Sequence, residues 1–336
     1  MRANPRQISL SALGLAVFMA LIFWGGSDVL KSLMSSHLGY ITIFLVVGFF
    51  QTLLAAWRWA ITLDWFVGHN HTSFKTYYRS FVLSRVSGLF IPQVVSDLAV
   101  RPVLHGLSRS SSHIDAFAGS ITEKLLDVSL ALSMSIPAIL FIVNLVDSSW
   151  FVVLLFSVVT IWSIVMVAFG PFVLRWAGKV ILNAMYIFTR VTRSRFGSIT
   201  ESVAQSVDRI TRASEDKTTM TKLVALTVVR YVLIGVYLVL LAYALPLSDM
   251  GLIEVLSALP IAQLGAVMAI TPGGIGFVEG GFFGAFVLTG VSAQSAVTYL
   301  IALRLLVSLN ILLHGAITLM THKQRGDSPK CENSLL

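Results

Sequence analysis

Charge is scarce in this chain. Of its 336 residues, 12% are Asp, Glu, Lys or Arg and 56% are hydrophobic. A soluble globular domain carries about a quarter charged residues, so the composition excludes one. The longest polar interval, 175–222, is too short and too poor in core residues to fold as a separate catalytic domain. Cysteine is nearly absent. Cys331 stands alone in a polar tail, which excludes an internal disulfide and a structural zinc site. It is also too far from the C-terminus for a prenylation box. His69 and His71 lack acidic or cysteine partners at metal-ligand spacing and read as solvated loop residues. There is no Asp-x-Asp metal site, and no glycine-rich loop followed by the Lys-Ser/Thr of a nucleotide P-loop. No cofactor or metal is expected.

What fills the chain is apolar runs. A helical span needs about 20 mostly apolar residues. Runs of this kind stand near 8–26, 39–63, 116–146, 150–176, 223–245, 252–270 and 293–320, with a shorter segment ending near Leu288. The expected fold is an all-α polytopic membrane protein of about eight transmembrane helices. Residues 1–325 form one transmembrane domain and 326–336 a disordered polar tail. Arg2 and Arg6 before the first run resemble a signal peptide, but no convincing small-residue cleavage site follows, so the run reads as a retained helix. The stretch 77–105 is interrupted by Arg79, Arg85, Pro92, Asp97, Arg101 and Pro102. It is too charged to face lipid and too apolar for a free loop. It predicts a re-entrant or cavity-lining hairpin broken near Pro92.

The net charge of +8 reflects loops rather than nucleic-acid binding. Between 175 and 222, nine lysines or arginines stand against four acids, a net of +5. The positive-inside rule puts this interval in the cytoplasm together with Arg2, Arg6, Lys323, Arg325 and Lys330. Eight crossings would leave both termini on that side of the cytoplasmic membrane. The loops near Asp28, Asp147 and Asp249 are short and poor in cations, as outside loops are.

Residues 271–281, Thr-Pro-Gly-Gly-Ile-Gly-Phe-Val-Glu-Gly-Gly, hold five glycines, a proline and the carboxylate of Glu279 between apolar segments. Proline breaks a helix and glycine weakens one. Broken backbone at membrane depth is tolerated only where protein or a water-filled cavity satisfies it. Free N–H groups where a helix opens attract anions, so Gly273, Gly274 and Gly276 suit a lipid phosphate, with Arg85, Arg101, Arg230 and Arg304 as helpers. Close helix packing is the bland reading of these glycines; Pro272 and Glu279 favour a broken helix.

Ionisable residues within a membrane are functional candidates by default. Glu123 and Asp127 share a helix face, with Lys124 beside them, and Arg85, Asp97 and Arg101 flank Pro92. The bland alternative is a structural ion pair of Glu123 with Lys124 or another cation. Arg58, between Trp57 and Trp59, reads as an interface anchor, and His314 as a packed, hydrogen-bonded residue.

Pro272-Gly-Gly-Ile-Gly-Phe-Val-Glu279 resembles the signature of the lysylphosphatidylglycerol synthase transmembrane-region family. That family includes the flippase half of multiple-peptide-resistance-factor proteins and many stand-alone membrane proteins. Ala56-Trp-Arg-Trp59 resembles its early Arg-Trp element. Ile91-Pro92 with Asp97 and Arg101 resembles its Pro-Gly-x-x-Gly-Gly-Asp-x-x-Arg element, and Ala118-Gly-Ser-Ile-Thr-Glu123-Lys124 its Ser-x-x-x-Glu-Arg element. The resemblance covers about 39–320. It has two departures. Gln93, Val94, Val95 and Ser96 stand where glycines are expected, and Lys124 replaces an arginine, which keeps the cation but not its bidentate geometry.

The resemblance implies a flippase that moves a phospholipid or polyprenyl-linked lipid between leaflets. Its implied path is Arg85, Asp97, Arg101, Glu123, Lys124, Asp127, Gly273, Gly274, Gly276, Glu279 and Arg304. Glu123 and Glu279 are the candidates for proton uptake. The implied partners are an anionic or phosphate-containing membrane lipid, and a second copy of the chain or a lipid-modifying enzyme. Two other classes compete. A membrane transferase acting on a lipid headgroup would need a donor-binding domain or a nucleophile–base pair, and neither is evident. A non-transporting accessory protein of cell-envelope lipid synthesis would be consistent with the altered element at 93–96.

Overall fold

The computed structural model describes residues 31–67, 73–108, 113–192, 205, 207, 210, 215–268 and 271–326. The first apolar run, His69, His71, much of the basic interval and the tail with Cys331 lie outside the described residues. The described residues are almost wholly helical and contain no strand.

Among the described residues, five helices are long and apolar enough to cross a membrane: α1 (Leu38–Val67), α4 (His113–Ile142), α5 (Ser148–Thr192), α6 (Lys217–Ala244) and α9 (Ala293–Gly326). Their outer faces carry Ile136, Ile139, Phe156, Ile161, Phe169 and Leu319 exposed, as lipid-facing helices do and soluble ones avoid. Inside, Leu126, Leu130, Trp162 and Leu223 form one core between α4, α5 and α6, and Phe44, Leu241, Phe286 and Tyr299 form another. The chain belongs to the all-α polytopic class that the apolar runs predict. α5 continues past Trp176 to Thr192, beyond its apolar run, because a helix satisfies its own backbone and can leave the membrane still helical.

Two hairpins complete the bundle. In the first, α2 (Phe74–Ser87) turns at 88–92 into a short helical turn (Gln93–Val95), a π-helical stretch (Ser96–Val100) and α3 (Arg101–Ser108). Its arms lie side by side: the Tyr77 and His105 rings stack with centroids 5.2 Å apart, and Ser84 Oγ donates to the Ser96 carbonyl at 3.1 Å. In the second, α7 (Leu252–Met268) and α8 (Phe277–Leu288) flank the glycine-rich break. A Cβ on Gly265 would come within 2.6 Å of the Phe277 carbonyl, so glycine lets these arms touch.

The hairpins enter from opposite ends of the bundle. Lys75 Nζ, at the open end of the first, donates to the Thr321 carbonyl near the end of α9 at 3.1 Å. Asp249 Oδ2, at the open end of the second, accepts from the Ser292 N–H just before α9 begins, at 2.8 Å. Between these ends the tips meet. Pro92 and Pro272 pair as a short antiparallel bridge, and the Gly273 N–H donates to the carbonyls of Gly88 (2.9 Å) and Ile91 (3.3 Å). Each break thus satisfies the other's backbone, which is the condition for irregular chain at this depth. The segments expected as sixth and seventh spans are two arms of one hairpin, because Ser292 and Asp249 bring their far ends together.

A symmetry follows. α1, the first hairpin and α4 form one half; α6, the second hairpin and α9 form the other. The halves have the same order and run in opposite directions: the His37 N–H at the start of α1 bonds the Ala244 carbonyl at the end of α6 at 2.9 Å. Pro92 and Pro272, His113 and Ala293, and Lys124 and Arg304 all stand at one constant separation in sequence. This is the layout of an inverted-topology repeat.

Candidate functional site

The hairpin tips border a cavity of about 190 Å³. Three arginines line it: Arg85 from α2, Arg230 from α6 and Arg304 from α9. The backbone of Gly273 and Gly274 and the amides of Gln51, Gln93, Gln263 and Asn310 add to the polar wall, and among the described residues no carboxylate lines it. Gly273 and Gly274 adopt φ of 64° and 72°, in the left-handed region that glycine enters without strain. Arg304 Nη1 donates to the Gly273 carbonyl at 2.7 Å, fixing the glycine turn against α9. Arg304 Nη2 also pairs with Glu279 Oε1 at 2.5 Å. The other Glu279 oxygen accepts from the Gly276 N–H at 2.8 Å and so closes the first turn of α8.

Beside the cavity lies a buried ion-pair network. Arg58 of α1 grips both Asp127 oxygens (2.7 and 3.0 Å) and reaches Glu123 Oε1 (3.2 Å) and Thr227 Oγ1 (3.0 Å). Arg101 bonds Glu123 Oε2 (2.6 Å) and Asp97 Oδ1 (2.5 Å), and its guanidinium lies between the Trp59 and Phe81 rings, about 5 Å from each centroid. Lys124 pairs with Asp97 Oδ2 at 2.5 Å, and Gln93 donates to Asp97 Oδ1 at 3.0 Å. Arg230 Nη1 pairs with Asp127 at 2.9 Å, so Arg230 belongs to both the network and the cavity wall. Charges taken out of water are tolerated when each is paired with an opposite charge, as these are.

The residues expected along one path therefore divide. Arg85, Gly273, Gly274 and Arg304 line the cavity. Gly276 and Glu279 support it from behind. Asp97, Arg101, Glu123, Lys124 and Asp127 are held in the network and do not line it. Glu123 is not paired with its neighbour Lys124: successive residues on a helix point apart, so Glu123 meets Arg58 and Arg101 while Lys124 meets Asp97. Arg58, expected as an interface anchor, is 4% exposed and sits at the network's centre. The reason is that α1 runs on to Val67, which sets Arg58 well inside the helix rather than at its end. Trp57 alone of that triplet is exposed. His314 is packed as expected, stacked on Phe49 and sharing a hydrogen bond with Tyr78. The signal for Arg58 was its place directly between two tryptophans in an apolar run whose helix continues beyond them.

Chemically, the cavity is suited to hold an anion. Among the described residues no group of three or more His, Cys, Asp or Glu could hold a metal. The chain matches no curated protein and no solved structure. A family model described as the lysylphosphatidylglycerol synthase TM region matches residues 11–315, which include the whole cavity and network, and the chain belongs to that family.

Proposed function

We propose that this protein is a flippase that moves a phosphate-bearing lipid, phospholipid or polyprenyl-linked, across the cytoplasmic membrane. Membership of a lipid-related membrane family supports the class of substrate. The observation that carries the reading is the three-arginine cavity where two oppositely entering hairpins meet. A headgroup crossing the hydrocarbon must keep its phosphate neutralised, and the cavity offers cations at mid-depth. Inverted halves around a central site give a route to exposing that site to each side in turn. On this reading the basic interval and both termini face the cytoplasm.

The test is reconstitution into liposomes with acyl-labelled phosphatidylglycerol and polyprenyl lipids, followed by quenching of the outer leaflet. Wild type should move label between leaflets. Glu279→Ala should slow it, since Glu279 holds Arg304 and the glycine turn together. Equal behaviour of the two proteins for every lipid would remove the site from the mechanism. Covalently altered lipid in the same vesicles would favour a transferase instead.

A further inference from the structure

The cavity's wall is specific about charge as well as about depth. Among the described residues three arginines face it and no acid does. Arg85 is half-buried and makes no hydrogen bond or ion pair among the described residues. The Nε atoms of Arg230 and Arg304 are buried without hydrogen-bond partners there. Arg85 thus presents donor capacity to the cavity that the fold leaves unused.

The nearby carboxylates are in the opposite condition. Each oxygen of the four already holds a donor. Glu123 holds Arg58 and Arg101; Asp127 holds Arg58 through both oxygens and Arg230 through one. Asp97 holds Arg101 and Gln93 on one oxygen and Lys124 on the other. Glu279 holds Arg304 and the Gly276 N–H. A guest ammonium would meet no carboxylate on the wall among the described residues and would stand among guanidiniums. A guest phosphate would find three.

From this we infer that the cavity takes a phosphate whose headgroup carries no amine, so that anionic lipids cross in preference to zwitterionic or aminoacylated ones. The binding part stands on the cavity alone; the transport part rests on the flippase reading above. The neutral amides of Gln51, Gln93 and Gln263 suit hydroxyls on such a headgroup, because an amide both donates and accepts.

Two measurements separate the parts. In detergent, glycerol 3-phosphate and inorganic phosphate should raise the melting temperature of the full chain, and phosphoethanolamine should do so far less. Arg85→Gln should abolish the difference. Equal stabilisation by phosphoethanolamine, or an unchanged difference in Arg85→Gln, would overturn the inference whatever the vesicles show. In liposomes, acyl-labelled phosphatidylglycerol and phosphatidic acid should cross at least about tenfold faster than phosphatidylethanolamine or lysylphosphatidylglycerol, the scale of one unfavourable charge contact. Amine-bearing lipids crossing at equal rates would also overturn it. If no lipid crosses while the melting difference stands, the flippase reading fails and the site is a phosphate site of another use. Gln51→Glu, an isosteric change that adds an acid to the wall, should narrow the ratio between the two lipid groups; an unchanged ratio counts against the cavity as the selective element.

Discussion

The two hairpins occupy equivalent places in the two halves, yet they are held in different ways. Each carries a carboxylate in its returning arm that pairs with a cation on the following long helix: Asp97 with Lys124, and Glu279 with Arg304. Around the first pair a network has grown. Asp97, Arg101, Glu123, Arg58, Asp127 and Arg230 join five helical elements, and the tip itself has no residue in the left-handed region. Around the second pair there is no such network among the described residues. Its tip instead has three left-handed glycines, at 273, 274 and 276, tied to α9 through Arg304. A hairpin locked by many buried charges resists displacement. One resting on a glycine turn and one ion pair has fewer bonds to exchange, as elements that move in transporters must. The comparison teaches that the altered element at 93–96 is not simply a degraded copy. Gln93 fills the turn and bonds Asp97, and its side chain lies where a Cβ on Gly88 would otherwise come.

The largest expected effect lies in the network. Arg58→Ala removes the cation shared by Glu123 and Asp127 and leaves both acids under-compensated. Breaking one partner out of a buried pair costs about 3–5 kcal/mol. The variant should lose most of its monodisperse fraction in size-exclusion chromatography, or melt far below wild type. A wild-type melting temperature would show that the first half is not the anchor.

The second half should respond differently. Arg304→Ala breaks one ion pair and one bond to the Gly273 carbonyl. Charge-assisted bonds of this kind are worth about 1.5–3 kcal/mol each where buried, and Arg304 is 18% exposed, so the lower end applies. The protein should remain folded and lose lipid movement. If Arg304→Ala destabilises as strongly as Arg58→Ala, the contrast between locked and lightly held hairpins disappears.

Much of this was legible in the residues. The apolar runs gave the long helices, and Pro92 and Pro272 marked both breaks, because backbone rules at membrane depth act locally. The motif at 271–281 pointed to the cavity for the same reason. What was not legible is what distance in sequence conceals. Nothing in Arg58 itself distinguishes an interfacial cation from one whose acids arrive from α4, and nothing in the runs at 252–270 and 277–288 shows that their far ends meet. The pairing of the tips and the inverted repeat are likewise tertiary facts, since the two halves share spacing rather than residues.

A smaller effect tests the glycine turn. Gly276 has φ of 90°, and a Cβ there would meet nothing within 4 Å. Gly276→Ala therefore isolates backbone strain, about 1–2 kcal/mol for a left-handed residue. In the first hairpin Val95 has φ of −65° and is exposed, so Val95→Ala should stay within about 0.5 kcal/mol. Equal shifts in melting temperature would mean that the tips are held alike after all.

A further small effect is expected at the start of the second half. α6 begins after Asp216, whereas α1 begins after a histidine. Asp216 Oδ2 accepts from Thr219 Oγ1 at 2.5 Å, and Oδ1 from the N–H groups of Thr218 (3.0 Å) and Thr219 (3.3 Å). These bonds, the Thr219 hydroxyl first, hold the carboxylate below its ordinary value of 3.8. A lowered value in the folded state means the cap stabilises fully above that ordinary value and is lost as pH falls through the folded one. Asp216→Ala should cost about 1 kcal/mol at neutral pH. The gap from wild type should close only in strong acid. A gap that is constant with pH would assign the effect to packing rather than to the charged cap, and would leave α1 and α6 equivalent at their starts.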